Sequence, residues 1–272
     1  MRMNFLIEST LQRIVYFASR YLGYANLAHD FAQKAGLFIA EKKQDYLYVD
    51  PSRITDLPCV EAKLALDLDV FRRFSEKVIS ENRTLLRFQR LFVIWQALYN
   101  VRHLKLPMVE VGSYRGGSAY FISAAMRHFT GEDIPLHAFD TFEGHPLSVL
   151  DHKKDPYHAK GMFSDTSYQD VVNYLLDFKG VVVHKGEFFE NIGKLPDGKI
   201  SFCHVDVDTY LTTKRCILQL MPRLAASGIL LLDDFGAGKC PGVTKGVNEI
   251  LDKLAPYQMW QMQTEQLLII KR

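Results

Sequence analysis

Ile200-Ser-Phe-Cys-His-Val205 runs into Asp206-Val-Asp208, and Gly228-Ile-Leu-Leu-Leu-Leu232 runs into Asp233-Asp234. Each apolar run is short and bounded, as expected of a central parallel strand covered on both faces. The stretch between them predicts a crossover helix of about four turns. Both runs end in carboxylates. In an open parallel sheet the carboxyl ends of the strands form the ligand edge. If the two strands are neighbours, Asp206, Asp208, Asp233 and Asp234 converge there. So many carboxylates need a positive partner, and an all-oxygen set suits a hard divalent ion, Mg²⁺ before Zn²⁺. A single such acid would read as a helix cap. An Asp-x-Asp and an Asp-Asp at successive strand ends favour a metal or ligand site.

Outward from this pair the alternation continues. Met108–Val111, Leu136–Phe139 and Gly180–His184 read as strands, with helices over residues 117–129, 167–178 and 243–254. Tyr257–Met262 and Gln266–Ile270 read as a hairpin around Thr264-Glu265. The expectation is an α/β fold. It has a doubly wound, mostly parallel seven-stranded sheet, a C-terminal antiparallel hairpin and a helical N-terminal extension. Residues 1–100 form the extension or cap in this reading and residues 101–272 the ligand-binding domain. Residues 1–45 carry an amphipathic helical pattern, and Tyr46–Pro58 reads as a linker. Phe88, Phe92, Trp95 and Tyr99 recur at three- and four-residue steps, a core stripe.

Composition narrows the class. The chain has 272 residues, 48% hydrophobic and 24% charged, with 33 basic against 31 acidic residues. A net charge of +2 gives no reason to expect a nucleic-acid partner. No run reaches the length of a membrane span and no signal peptide is evident. Cys59, Cys203, Cys216 and Cys240 have no paired spacing. Buried free thiols in a reducing, cytoplasmic setting are expected.

The turn Glu110-Val-Gly112-Ser-Tyr-Arg-Gly116-Gly117-Ser118 follows the first strand of the sheet. Its glycines permit unusual backbone angles and a close ligand. Its spacing is not G-x-G-x-x-G, so it makes a poor pyrophosphate cradle. Asp140 ends the next strand, where an acid meets ribose hydroxyls in nucleoside-binding sheets. Glu110 with Asp140 points to a ribose-bearing cofactor.

Six motifs in order carry a resemblance: Val109–Ser118, Phe139-Asp-Thr-Phe-Glu-Gly144, Phe163-Ser-Asp-Thr-Ser167, His204-Val-Asp-Val-Asp-Thr-Tyr210, Leu232-Asp-Asp-Phe-Gly236 and Cys240-Pro-Gly-Val-Thr-Lys245. Together, over about residues 80–272, the chain resembles the macrocin O-methyltransferase family. That family uses S-adenosylmethionine and Mg²⁺ on a Rossmann-like methyltransferase sheet to methylate sugar hydroxyls of natural products. The resemblance implies that Glu110, Gly112, Ser118, Asp140, Thr141 and Asp206 line the cofactor. It implies that Asp206, Asp233 and Asp234 hold the metal, and that Asp208 is a recurrent acid that orients Lys214 or caps the helix. Arg83-Thr-Leu-Leu matches a segment that closes over the methyl donor. Glu187 stands where an aromatic is common in the family.

The chemistry needs a deprotonated oxygen in line with a methyl sulfonium. An alkyl hydroxyl is a poor acid, so a Lewis acid and a protein base are both wanted. Asp206 and the loop histidine His145 are the candidate bases, with His152, His158, His184 and His204 also in view. The acceptor is a hydroxyl of a small molecule or glycan, as a vicinal diol, and a homo-oligomer is expected. Two other readings stand beside this one. A nicotinamide-dependent oxidoreductase on the same sheet has the missing phosphate motif against it. A non-catalytic partner-binding protein has the retained acids against it.

Overall fold

The computed structural model describes residues 67–254 and 257–272. They fall within the second of two units into which the chain divides, Met1–Val49 and Asp50–Arg272. The amphipathic pattern of residues 1–45 and the linker lie outside the described residues.

Two helices open the described chain, α1 (Leu68–Ser80) and α2 (Phe88–Val101). Between them an extended strap, residues 83–87, crosses toward the sheet edge. The alternating part then follows as β1 (Met108–Val111), α3 (Gly117–Thr130), β2 (Leu136–Asp140), α4 (Tyr168–Tyr174), β3 (Val181–Lys185), β4 (Ile200–Val205) and α5 (Tyr210–Leu220). It closes with β5 (Leu224–Leu232), α6 (Pro241–Asn248), α7 (Leu251–Leu254), β6 (Gln258–Met262) and β7 (Gln266–Ile270). The strand β5 begins at Leu224 rather than Gly228. Ser227 at φ 62° and a register shift against β4 put an irregularity in its middle.

The seven strands lie in the order β3-β2-β1-β4-β5-β7-β6. β1 to β5 are parallel, and β7 enters antiparallel between β5 and β6. The seven-stranded sheet with its antiparallel end is the one expected from sequence. Strand order reverses between β1 and β4, the switch point at which such sheets bind ligands.

Side-chain alternation divides the core into two layers. On one face Met108, Leu136, Phe202, Ile229 and Leu231 pack with Phe71, Trp95, Phe121 and Val171. On the other Val109, Val111, Cys203, Val205 and Leu230 pack with Cys216, Ile217, Val243 and Val247. Phe88, Phe92 and Trp95 of the predicted aromatic stripe belong to the first layer. Trp95 is fully buried, with the Phe129 ring edge-on at 4.4 Å. Cys203, Cys216 and Cys240 are free and buried. Among the described residues no helix is long and apolar enough to cross a membrane.

Candidate active site

Register brings the site together. Val111 pairs with Phe139 and Val205, and Val205 pairs with Leu232. The next residue of each strand or turn is therefore Gly112, Asp140, Asp206 or Asp233, abreast on one edge. The approach at the switch point is close. Gly112 has φ +92°, and a Cβ there would stand 1.8 Å from the Asp206 carbonyl oxygen.

A cleft of about 300 Å³ opens over this edge. Gly112, Ser118, Asp140, Thr141, Asp206, Asp208, Asp234 and His145 all line it. The strap contributes Arg83–Leu86. Arg83 O accepts from Gly117 N at 3.1 Å, and a Cβ on Gly117 would meet the Arg83 carbonyl at 2.6 Å. The bare start of α3 is thus what allows the strap to lie there.

At the β2 end, Asp140 accepts from the backbone N–H groups of Tyr114 and Phe142, each at 2.7 Å. Burial pushes its carboxyl up, and these two donors work against the shift. Ser113 lines the cleft with its buried hydroxyl unpartnered among the described residues. Sequence reasoning passed over it, because a serine inside a glycine-rich turn reads as turn chemistry.

Glu110 is placed inside the sheet. It is wholly buried, and its Oε1 faces His204 Nδ1 at 3.0 Å. His204 Nε2 in turn lies 3.5 Å from Asp233 Oδ1, an ion-pair separation short of a hydrogen bond. Burial opposes charge on His204, yet Asp233 and Glu110 outweigh it and carry the imidazole up to about 10. The residue is an imidazolium held between two carboxylates. Asp233 Oδ1 also accepts from Gln266 Nε2 at 2.6 Å. Burial would raise the Asp233 carboxyl, but His204, Arg90 and Gln266 hold it below the usual carboxylate range.

The other strand-tip acids behave differently. Burial first, then Asp233, Asp234 and Asp208, push Asp206 well above the usual range. Burial and then Asp234 push Asp208 up to about 8. Such crowding of like charge is what a cation relieves. One cation is already present, though the sequence reading did not single it out. Arg90 of α2 donates Nη2 to Asp234 Oδ1 at 2.8 Å and Nη1 to Asp233 Oδ2 at 3.3 Å.

The long loop after β2 covers the cleft. His145 Nε2 is buried, lacks a hydrogen-bond partner among the described residues, and lies 3.7 Å from Asp208 Oδ2. Burial, then His158, pull its imidazole down to about 4, so it is neutral. His158 Nε2 stands 4.0 Å from Asp208 Oδ1. The loop is anchored by a residue with no local sequence signal. Buried Asp155 accepts Tyr210 N at 2.8 Å and Asp151 N at 3.1 Å, capping α5 from a distance. Lys214 pairs with Glu249 at 2.8 Å rather than with Asp208. Lys239 is exposed, and Lys185 pairs with Glu143 at 3.0 Å.

Comparison with known proteins agrees with this geometry. A 28% identical stretch of 142 residues, 49% of this chain and 54% of the relative, matches 8-demethyl-8-(2,3-dimethoxy-alpha-L-rhamnosyl)-tetracenomycin-C 4'-O-methyltransferase of Streptomyces olivaceus. The chain thus spans about half the length of that relative. Demethyldecarbamoylnovobiocin O-methyltransferase of Streptomyces niveus is 25% identical over 193 residues, 65% of this chain and 73% of the relative. The solved structure of the O-methyltransferase NovP has the same fold. Its TM-score is 0.64 at 20% identity, over 76% of this chain and 98% of that one. The family model for macrocin-O-methyltransferase matches residues 70–252, which hold the strap, the whole sheet edge and the loop over it, and the chain belongs to that family.

Proposed function

We propose that the chain is an S-adenosylmethionine-dependent O-methyltransferase. In this reading it methylates a sugar or glycoside hydroxyl of a natural product, with Mg²⁺ at the strand tips. One observation carries the reading. The Gly112 turn, Asp140, Asp206, Asp208, Asp234 and His145, whose Nε2 is buried and unpartnered among the described residues, line one cleft. The sugar acceptor is supported by the rhamnosyl group in the name of one relative.

The donor, when bound, supplies a methyl group already activated on a sulfonium. The protein must place the acceptor, exclude water and take up its proton. In this reading Gly112, Ser118, Asp140, Thr141 and Asp206 hold the donor, with the unpaired Ser113 hydroxyl beside them. Glu110 supports the same wall from within, through His204. Asp206, Asp233 and Asp234 would be the all-carboxylate set for a hard cation; in the structure Asp206 and Asp233 group with His204, and Asp234 groups with Asp208 and Cys240. When bound, such an ion lowers the cost of charge developing on an acceptor oxygen and orients a vicinal pair. In this reading His145 takes the proton at Nε2, with Asp208 Oδ2 3.7 Å away. Asp206 is the alternative base. The strap and the loop anchored by Asp155 keep water out. The free buried thiols of Cys203, Cys216 and Cys240 suit a cytoplasmic enzyme, and the reading includes a homo-oligomer with no nucleic-acid partner.

Labelled methyl transfer onto a panel of glycosides with and without vicinal diols tests the reading. A labelled methyl ether is expected only on diol-bearing acceptors, lost after EDTA and restored by Mg²⁺. His145→Ala should lower kcat by about 10²- to 10⁴-fold with donor affinity unchanged. Calorimetry showing no S-adenosylmethionine binding at high micromolar concentration would sink it.

A further inference from the structure

Arg90 is committed on every side. Its Nε donates to Thr264 O at 3.0 Å, Nη1 to Asp233 Oδ2 at 3.3 Å, and Nη2 to Asp234 Oδ1 at 2.8 Å and Glu265 Oε2 at 3.0 Å. The side chain is 16% exposed and lines the cleft. A fixed cation therefore rests against two of the three carboxylates assigned to the metal. A carboxylate oxygen has lone pairs for more than one partner. A guanidinium and a divalent ion on the same two carboxylates nevertheless repel strongly, because a shielded site screens charge poorly.

We propose that Arg90 is the resident counter-ion of the metal-free site, and that a divalent cation entering among Asp206, Asp233 and Asp234 displaces its guanidinium from Asp233 and Asp234. The proposal rests on the metal reading above. The arrangement keeps Asp233 and Asp234 compensated whether or not the ion is present, which spares the molecule an unpaired buried charge. It also weakens cation binding, since each binding event must break two ion pairs. The displaced side chain keeps a place to go. Thr264 O and Glu265 lie on the β6–β7 turn, outside the set of carboxylates that would hold the ion.

The test is Mn²⁺ binding to the full chain without donor or acceptor, followed by the electron paramagnetic resonance of the free ion. Arg90→Gln is expected to bind Mn²⁺ about tenfold more tightly than the wild type. Its thermal midpoint should also rise more on saturation, because its metal-free form is the less stable. Arg90→Lys keeps the charge but cannot bridge two carboxylates, and should tighten binding about two- to threefold. It serves if Arg90→Gln does not fold. A purely structural role for Arg90 predicts the opposite sign, since a disturbed carboxylate cluster binds less well. Equal or weaker binding by the folded variants, with the wild type binding normally, overturns this proposal alone. Absence of Mn²⁺ binding in wild type and variants alike overturns the metal reading and the proposal with it.

Discussion

His204 illustrates how much a single residue can depend on its neighbours. It is wholly buried, yet its two carboxylate partners keep it charged to about pH 10. Glu110→Gln removes one of them and leaves a buried cation with too little compensation. Breaking such a set from one side costs about 3–5 kcal/mol, and urea unfolding should register a loss of that size. A loss under about 1 kcal/mol would mean His204 is neutral in the fold. The same scale sets what the sequence could tell. Asp206, Asp208, Asp233 and Asp234 were legible because each ends or follows an unmistakable apolar run. Arg90 was not, since its ion-pair partners lie 143, 144 and 175 residues away. On an amphipathic helix an arginine is unremarkable until the fold closes. Glu110 was read as facing a ligand, whereas the structure turns it onto His204, a contact 94 residues distant that no local pattern announces.

Among the elements, the strap and α3 are matched by the absence of a side chain. A Cβ at Gly117 would stand 2.6 Å from the Arg83 carbonyl oxygen. Gly117→Ala should push the strap off the helix start and widen the cleft. S-adenosylmethionine affinity is expected to fall about tenfold, equivalent to about 1.4 kcal/mol, while alanine's better helix propensity limits the loss of stability. Calorimetric titration with unchanged affinity would refute the coupling. The β2–β3 pair makes a second prediction. His137 Nδ1 and His184 Nε2 lie 3.0 Å apart, and His184 stacks on Phe139 at 4.4 Å. Burial first, then His137, lower His184 to about 4. Its folded value lies below its unfolded one, so the unfolded chain binds the extra proton first. The contribution is fully present above about pH 6.5 and is lost as pH falls toward 4. His184→Phe keeps the stacking surface and removes the proton site. Its thermal midpoint should decline less steeply than the wild type's across that window. Parallel declines would show that other groups dominate. Element types were largely legible from periodicity, while boundaries drifted. The helix expected over 167–178 ends at Tyr174, and that expected over 243–254 is two helices, Pro241–Asn248 and Leu251–Leu254.

On the scale of the whole described unit, one buried carboxylate ties the covering loop to the sheet domain. Asp155 accepts from Tyr210 N and Asp151 N, and a Cβ on Gly242 would lie 1.9 Å from its Oδ1. Asp155→Ala leaves the α5 terminus uncapped, at a cost of about 1 kcal/mol, and frees the loop. Limited proteolysis should cut residues 143–165 sooner, and kcat/KM for the acceptor should fall while donor affinity holds. An unchanged cleavage rate would rule out the anchoring role. The global architecture was readable from order alone, because strand–helix alternation and a terminal hairpin leave few topologies. The loop's attachment was not, because its anchor is a contact across 55 residues between a loop and a helix start.

The position of β7 has a consequence for synthesis. It is the latest of the described strands in the chain, yet it is inserted between β5 and β6. While the polypeptide emerges from the ribosome, β5 offers an open hydrogen-bonding rim to any extended segment nearby. Gln266 reaches Asp233 only when that rim is filled. A nascent molecule of this kind has to wait for its closing strand before the acids on its edge acquire their neighbours, so slowed elongation near residues 258–270 would lengthen the interval in which it is prone to mispair.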